Sequence, residues 1–371
     1  NPSIRLVAPK IHDFPVFSQR AQEIFASGLL TNNGPYVKEY EKQLSSYLGA
    51  PSLSFANGTI ALILALKGLG LQGEVIVPSF TFAATVHAVS WAGLTPVFVD
   101  IDPQTFNLNP QDVEAAITDQ TSAIVAVHVF GNPCDIDVLT AIAKKHQLKL
   151  IFDAAHAFGS TYKGRPIGQF GDVEMFSTHA TKTLITAEGG ILSTHDQKLI
   201  AYLKQARNFG FPEDKPEDTV VPGTNAKLSE VHALIGLDSL SRFPPMLEHK
   251  RTLVAYYHEM LGNIAGISFQ YVPEHSTSAY LYFPIVVDEQ QFGRNRDQLH
   301  QYLTENGIMT RKYFYPPVHK HTSYQKYHHL YLPHTEAVAS RILCLPVHGD
   351  LTLQDVERIG GLIKMAQQQN R

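Results

Sequence analysis

Between about residue 50 and residue 200, short and mostly apolar runs alternate with longer stretches of helical character, and that alternation leaves few architectures open. Val75-Ile76-Val77, Val97-Phe98-Val99, Ala123-Ile124-Val125-Ala126-Val127 and Leu148-Lys149-Leu150-Ile151-Phe152 have little or no polar face, so each reads as a strand covered on both sides. Strands of that kind separated by helices build a mostly parallel sheet with helices on both faces. The expected fold class is α/β: a large domain with a mostly parallel, helix-flanked sheet and a smaller C-terminal α/β domain. The chain of 371 residues is long enough for both and buries a substantial core. Phe243-Pro244-Pro245 interrupts a helical region after Glu230 to Leu240, which places the boundary there and gives domains at 1–242 and 243–371. Beyond it lie a strand-like run, Tyr280 to Val287, and helices at about 295 to 306 and 353 to 368.

Composition removes several function classes. Charged residues make up 17% of the chain and the net charge is −4, which fits neither a nucleic-acid surface nor a disordered tail. Cys134 and Cys344 are the only cysteines, too few for a disulfide framework or a cysteine-rich zinc site and in keeping with a reducing cytoplasm. No apolar run approaches the ~20 residues of a membrane span, and Asn1 to Lys10 lacks the charged-then-apolar order of a signal peptide. The expected location is therefore cytoplasmic. His319, His321, His328, His329 and His334 cluster within Pro316 to His334, but their spacing matches no familiar metal pattern, so no metal is expected.

Chemistry enters with Lys182, in Phe176-Ser177-Thr178-His179-Ala180-Thr181-Lys182-Thr183. A lysine amine condenses with an aldehyde to a readily protonated, electrophilic imine. Pyridoxal phosphate, the cofactor that exploits this, needs an acid beside its ring nitrogen. Asp153 is the candidate: it follows Leu148 to Phe152, so its carboxylate would emerge at the carboxyl end of a strand, the edge where open α/β sheets bind ligands. Alone, a lysine in a loop is a solvated charge and an Asp after a strand is a helix cap. The pair Gly189-Gly190, before an apparent strand at Ile191 to Thr194, adds a place where backbone can turn sharply and pass close to a bound ring.

A phosphate seat is legible upstream. Asn57-Gly58-Thr59 stands between the strand-like Ser52 to Ala56 and the Ala- and Leu-rich Ile60 to Lys67, a turn that opens a helix. The first amides of a helix lack intrahelical acceptors and lie at its positive end, which suits a phosphate dianion. Gly58 and Thr59 would supply those amides, and the Ser177 hydroxyl would reach the same group. Phe80 and Phe82, in Pro78 to Thr85, are both candidates to stack on a flat ring, and the small Ala155 would admit its other face.

Taken together, Leu30-Thr31-Asn32-Asn33-Gly34-Pro35, Asn57-Gly58-Thr59, Pro78 to Thr85, Asp153 to Gly159, Ser177 to Lys182, Glu188-Gly189-Gly190 and Gly223 to Glu230 resemble the DegT/DnrJ/EryC1/StrS family of nucleotide-sugar aminotransferases, within the fold-type-I pyridoxal phosphate enzymes. The resemblance spans nearly the whole chain. It implies that Lys182 forms the covalent link to the cofactor and Asp153 pairs with the pyridine nitrogen. It further implies that Phe82 stacks, His156 lies near the ring hydroxyl, and Gly58, Thr59 and Ser177 hold the phosphate. Asn225 would reach the phosphate of the neighbouring subunit, which makes a homodimer part of the implied function. Arg311 to His319 is similar to a segment lining the family's substrate cleft, so Arg311, Tyr315 and His319 are implied substrate contacts. Ala187 and Thr178 depart from the family's usual residues at positions that shape the pocket.

The implied reaction moves an amino group from an amino acid, L-glutamate, to a nucleotide-linked keto sugar. Gly131 to Asp135, Arg207 to Phe211 and Gly223 to Glu230 look most like enzymes acting on dTDP-4-keto-6-deoxyglucose. The 3-keto isomer, scyllo-inosose, a dehydratase activity and a non-catalytic regulatory relative are the rivals. Dehydratase relatives carry histidine at the lysine position, whereas Lys182 is retained here.

Overall fold

The computed structural model of the protein describes residues 3–212 and 217–368; Asn1 and Pro2, the start of the segment read for a leader, lie outside them. In chain order the strands are β1 (Ser52–Phe55), β2 (Glu74–Pro78), β3 (Thr95–Val99), β4 (Thr121–Val127), β5 (Lys149–Asp153), β6 (Thr161–Tyr162), β7 (Arg165–Pro166), β8 (Val173–Ser177), β9 (Gly190–Ser193), β10 (Ile267–Phe269), β11 (Ser276–Thr277), β12 (Phe283–Val287) and β13 (Ile342–Leu345). Seven of them form the central sheet in the order β1-β9-β8-β5-β4-β2-β3. The pairs from β3 to β8 are parallel, whereas β9 runs antiparallel to both β8 and β1. The mostly parallel α/β class expected from the apolar runs is what the chain adopts.

Alternation of side chains along those strands sorts the core into two layers. Ile76, Ile124, Phe152 and Phe176 point to one face, where they meet Tyr40, Phe158 and Phe243. Val75, Val77, Ile151 and Met175 point to the other, against Leu62, Ala65 and Leu66 of the helix Gly58–Gly68. That helix is apolar nearly all round because sheet and neighbouring helices cover it, and Asn57 starts it by accepting from Ile60 N at 2.9 Å.

The helix Glu230–Ser241 ends just before the helix Phe243–Leu261, whose first turn carries the prolines. The three-stranded sheet β10-β12-β13 follows, with its own core of Tyr257, Phe283, Leu299 and Ile363. Ile4 belongs to that core too, and its strand-like segment bridges Ile308, so the first described residues pack with the C-terminal part. Asp100, just beyond β3, ties the two parts by accepting from His334 N and Thr335 N at 2.9 and 2.8 Å, at the start of the helix Pro333–Arg341.

Candidate active site

All the parallel strands present their carboxyl ends at one edge of the sheet, and β9 begins there. Asp153 is the last residue of β5, Ser177 the last of β8, Gly190 the first of β9, and Asn57 follows the end of β1. Residues far apart in sequence are thereby gathered round a cavity of about 370 Å³ whose walls include Gly58, Thr59, Phe82, Asp153, His156, Ser177 and Lys182.

Asp153 is 4% exposed, and two donors hold its carboxylate: Thr85 Oγ1 gives to Oδ2 at 2.7 Å and Ala155 N to Oδ1 at 3.0 Å. Burial pushes its pKa up, while those hydrogen bonds and the Lys182 charge pull it back. Lys182 responds in kind. Burial lowers its amine to about 8, with the Asp153 carboxylate acting in the opposite direction. The two groups therefore lie within electrostatic reach of each other in one chamber.

At the phosphate end, the Gly58 and Thr59 amides have no acceptor among the described residues, as the opening turn of a helix requires. The turn is wedged against the sheet: a Cβ on Gly190 would lie 2.6 Å from the backbone of Asn57 and Gly58, and one on Gly58 3.0 Å from Met175 Sδ. The reason for glycine at 190 thus differs from the one expected, since it admits the neighbouring turn. Gly189, by contrast, lines the cavity itself.

His156 is buried and accepts from Phe130 N through Nδ1 at 3.2 Å, so its proton sits on Nε2. Burial, and after it the Lys182 charge, hold this imidazole well below its ordinary pKa, hence neutral. Of the two candidate stacking rings, Phe82 is 56% exposed at the cavity, whereas Phe80 is wholly buried against Phe106, Phe130 and Phe314.

Four expected residues lie elsewhere. Asn225 is exposed outside the cavity, its Oδ1 accepting from Lys227 Nζ at 2.8 Å. His319 has no exposure: Nδ1 meets Ser79 Oγ at 2.6 Å and Nε2 meets Glu336 at 3.2 Å, a buried brace under the strand that leads to Phe82. Tyr315 packs its ring on the Arg296 guanidinium, and Arg311 is exposed, bridged to Cys344. From that segment Tyr313 and Phe314 face the cavity instead, joined by Tyr282, His179 and Glu188. The histidines of Pro316 to His334 form no cluster of three or more His, Cys, Asp or Glu side chains placed to hold a metal ion among the described residues.

With this geometry in view, comparison with known proteins is informative. The DegT/DnrJ/EryC1/StrS aminotransferase family description matches residues 15–364. The chain belongs to that family. It is 38% identical over 363 residues to dTDP-4-amino-4,6-dideoxy-D-glucose transaminase of Shigella dysenteriae, covering 97% of this chain and 98% of that one. The transaminase of the same name from Escherichia coli is 36% identical over 366 residues, covering 97% and 98%. The crystal structure of DesI in the presence of its TDP-sugar product superposes with a TM-score of 0.93 at 40% identity, over 100% of this chain and 94% of that one.

Members of the DegT/DnrJ/EryC1/StrS family depend on pyridoxal phosphate, and the residues present fit it. An anion seat of unused amides, a buried carboxylate for a protonated ring nitrogen and a lysine amine of depressed pKa line one chamber. Sequence reasoning missed Thr85, the hydroxyl that orients Asp153. Its only signal was a hydroxyl residue in the first turns of the helix Ala83–Trp91, where such a side chain reads as surface or cap.

Proposed function

We propose that the protein is a pyridoxal phosphate-dependent aminotransferase that moves the amino group of L-glutamate onto a nucleotide-linked keto sugar, dTDP-4-keto-6-deoxyglucose. The observation that carries the reading is Lys182 facing Asp153 within one cavity, in a chain alike over nearly its full length to transaminases named for the 4-amino sugar. When bound, pyridoxal phosphate supplies an electron sink that stabilises negative charge on the substrate carbon.

The protein's own groups do the rest. Lys182 would anchor the cofactor and, as a free amine, would take up and return a proton at Nζ; an amine lowered to about 8 is partly neutral near pH 7 and accepts a proton readily. Asp153 would keep the ring nitrogen protonated, and Thr85 and Ala155 each hold one of its oxygens while the residue lines the cavity. His156, its Nδ1 occupied by Phe130 N, would offer Nε2–H to the ring hydroxyl. Gly58, Thr59 and Ser177 would hold the phosphate, and Phe82 would cover one ring face, since all four line the cavity.

Asn225 completes the phosphate seat of a second subunit in a homodimer. Its exposure outside its own cavity supports that role, as do Phe14, Phe25 and Trp91, which stand 64%, 64% and 77% exposed. Arg311, whose charge reaches Tyr282 in the cavity wall, is the candidate rim contact for the nucleotide-linked substrate. The cytoplasm suits the two free, buried thiols Cys134 and Cys344.

Borohydride reduction of the yellow holoenzyme followed by peptide mass spectrometry tests the chemistry: the modification belongs on Lys182, and Lys182→Ala, which keeps the phosphate seat, binds cofactor without being trapped. A modification elsewhere, or none, refutes the reading. Incubation with L-glutamate and 4-keto or 3-keto dTDP sugars, with the product examined by NMR, then tests the acceptor.

A further inference from the structure

A second, smaller cavity of about 60 Å³ lies on the far side of Lys182, which together with Thr181 lines both chambers. Its walls include the N-terminal segment with Lys10 and His12, the Lys182 loop, the turn His348-Gly349-Asp350, and Lys250 of the helix Phe243–Leu261. That exceeds the roughly 10–15 Å³ that a single water requires, so the space has room for a small polar group such as a carboxylate.

The hydrogen bonding is lopsided. Lys10 is paired with Asp350; His348 donates from Nε2 to Arg5 O at 3.0 Å and accepts from Asp350 N at 3.3 Å. Lys250 is 2% exposed and makes one hydrogen bond among the described residues, to Thr183 Oγ1 at 3.2 Å, although an ammonium has three N–H groups. Burial alone pushes this amine down to about 7, and no carboxylate compensates it. A buried ammonium with spare donors at the wall of a cavity is the signature of a site for an anion that is not part of the chain.

We propose that this cavity is a carboxylate pocket anchored by Lys250, and that it takes the side-chain carboxylate of a dicarboxylic amino donor whose amine reacts beside Lys182. The assignment rests on the aminotransferase reading and deepens it: the donor is selected by a cation reached past Lys182, separate from the chamber that receives the sugar. Asp350 faces the same space but is engaged with Lys10, and Lys182 is taken up by the cofactor, so Lys250 is left as a cation without an acidic partner among the described residues.

The half-reactions of the holoenzyme separate the two sides. Loss of the visible cofactor band is followed with L-glutamate, with L-alanine, and in reverse with a dTDP-4-amino-4,6-dideoxyhexose. In Lys250→Met the apparent dissociation constant for L-glutamate is expected to rise at least 30-fold relative to that for the amino sugar, with L-alanine following the amino sugar. Equal effects on L-glutamate and L-alanine, or none, overturn the proposal.

An activity-independent arm uses glutarate, which cannot react. Calorimetric affinity of the unmutated holoenzyme is expected to fall about tenfold per pH unit above pH 7, because the anion requires the charged form of Lys250. His12, His348 and Lys10, which also face the space, remain in Lys250→Gln, so a slope surviving in that variant, or no glutarate binding at millimolar concentration, also overturns it. A holoenzyme bleached by no amino acid would instead refute the aminotransferase reading itself.

Discussion

Replacing Asp153 by Asn separates what this residue does for the cofactor from what it does to the fold. The substitution is isosteric, and its hydrogen bonds can be satisfied. The amide oxygen accepts from Ala155 N, the amide nitrogen donates to Thr85 Oγ1, and the Thr85 proton turns to Thr81 Oγ1, 2.8 Å away. The Thr81 hydroxyl, which in the unmutated protein gives its proton to Thr85 Oγ1, turns that proton into the cavity it lines. Because burial raises the folded pKa of Asp153, the carboxyl group favours folding below its unfolded value near 4 and loses that contribution as pH rises through the folded value. At neutral pH the apo protein therefore carries a buried charge that Asn lacks. Apo Asp153→Asn should melt at or above the temperature of the unmutated protein at pH 7.5, with the difference growing as pH rises from about 4 through the raised folded value and level beyond it.

Catalysis moves the opposite way. A hydrogen bond to a charged partner contributes about 1.5–3 kcal/mol, and at about 1.4 kcal/mol per tenfold its loss lowers kcat roughly 10- to 150-fold. Cofactor uptake persists, because the amides of Gly58 and Thr59 are untouched. Scanning calorimetry of the apo protein and steady-state turnover of the holoenzyme check the two halves. Turnover equal to that of the unmutated enzyme would refute the role of Asp153, and a melting temperature lower by more than about 5 °C would refute the account of its burial.

Thr85→Val removes the donor to Asp153 Oδ2 and orphans the Thr81 hydroxyl, so cofactor dissociation should rise about tenfold or more, measured by fluorescence titration of the apoenzyme. Gly190→Ala sets a Cβ 2.6 Å from backbone atoms that cannot yield, which should cost about 1–3 kcal/mol in urea unfolding and weaken cofactor binding as the Asn57–Gly58 turn shifts. Capture of pyridoxal phosphate by the apoenzyme requires neutral Lys182: its stopped-flow rate should climb about tenfold per pH unit up to a midpoint near pH 8, where an ordinary lysine would still be climbing at pH 10.

Asp153 and Asn57-Gly58-Thr59 were legible because each stands at or next to the end of an apolar run, and strand ends in a parallel sheet share one edge, whereas Lys182 was legible from the residues of its own segment beyond β8. What escaped detection depends on partners distant in the chain. Thr85 meets Asp153 across 68 residues, Lys250 meets Thr183 across 67, and His319 is drawn under Ser79 across 240. In Tyr313-Phe314-Tyr315 every residue is aromatic, so the sequence carries no alternation from which to read which ring faces the cavity.

The strength of a motif does not tell chemistry from scaffolding either. Gly34-Pro35 and Ser229-Glu230 contributed to the family resemblance as much as the lysine segment did, yet in the fold they meet each other. Glu230, with no exposure, accepts from Tyr36 N at 2.7 Å and Val37 N at 3.3 Å, and so caps the helix Pro35–Leu48 through a side chain 194 residues away. Gly34 is glycine because a Cβ there would stand 2.7 Å from that carboxyl carbon. The carboxylates of Asp153 and Glu230 are both buried and both held by donors, and position distinguishes them: all of Glu230's hydrogen bonds close within the scaffold, whereas Asp153 retains a side open to a cavity that a lysine also faces. A buried acid open to a cavity that a lysine also faces is therefore the feature that marks the reactive centre of this chain.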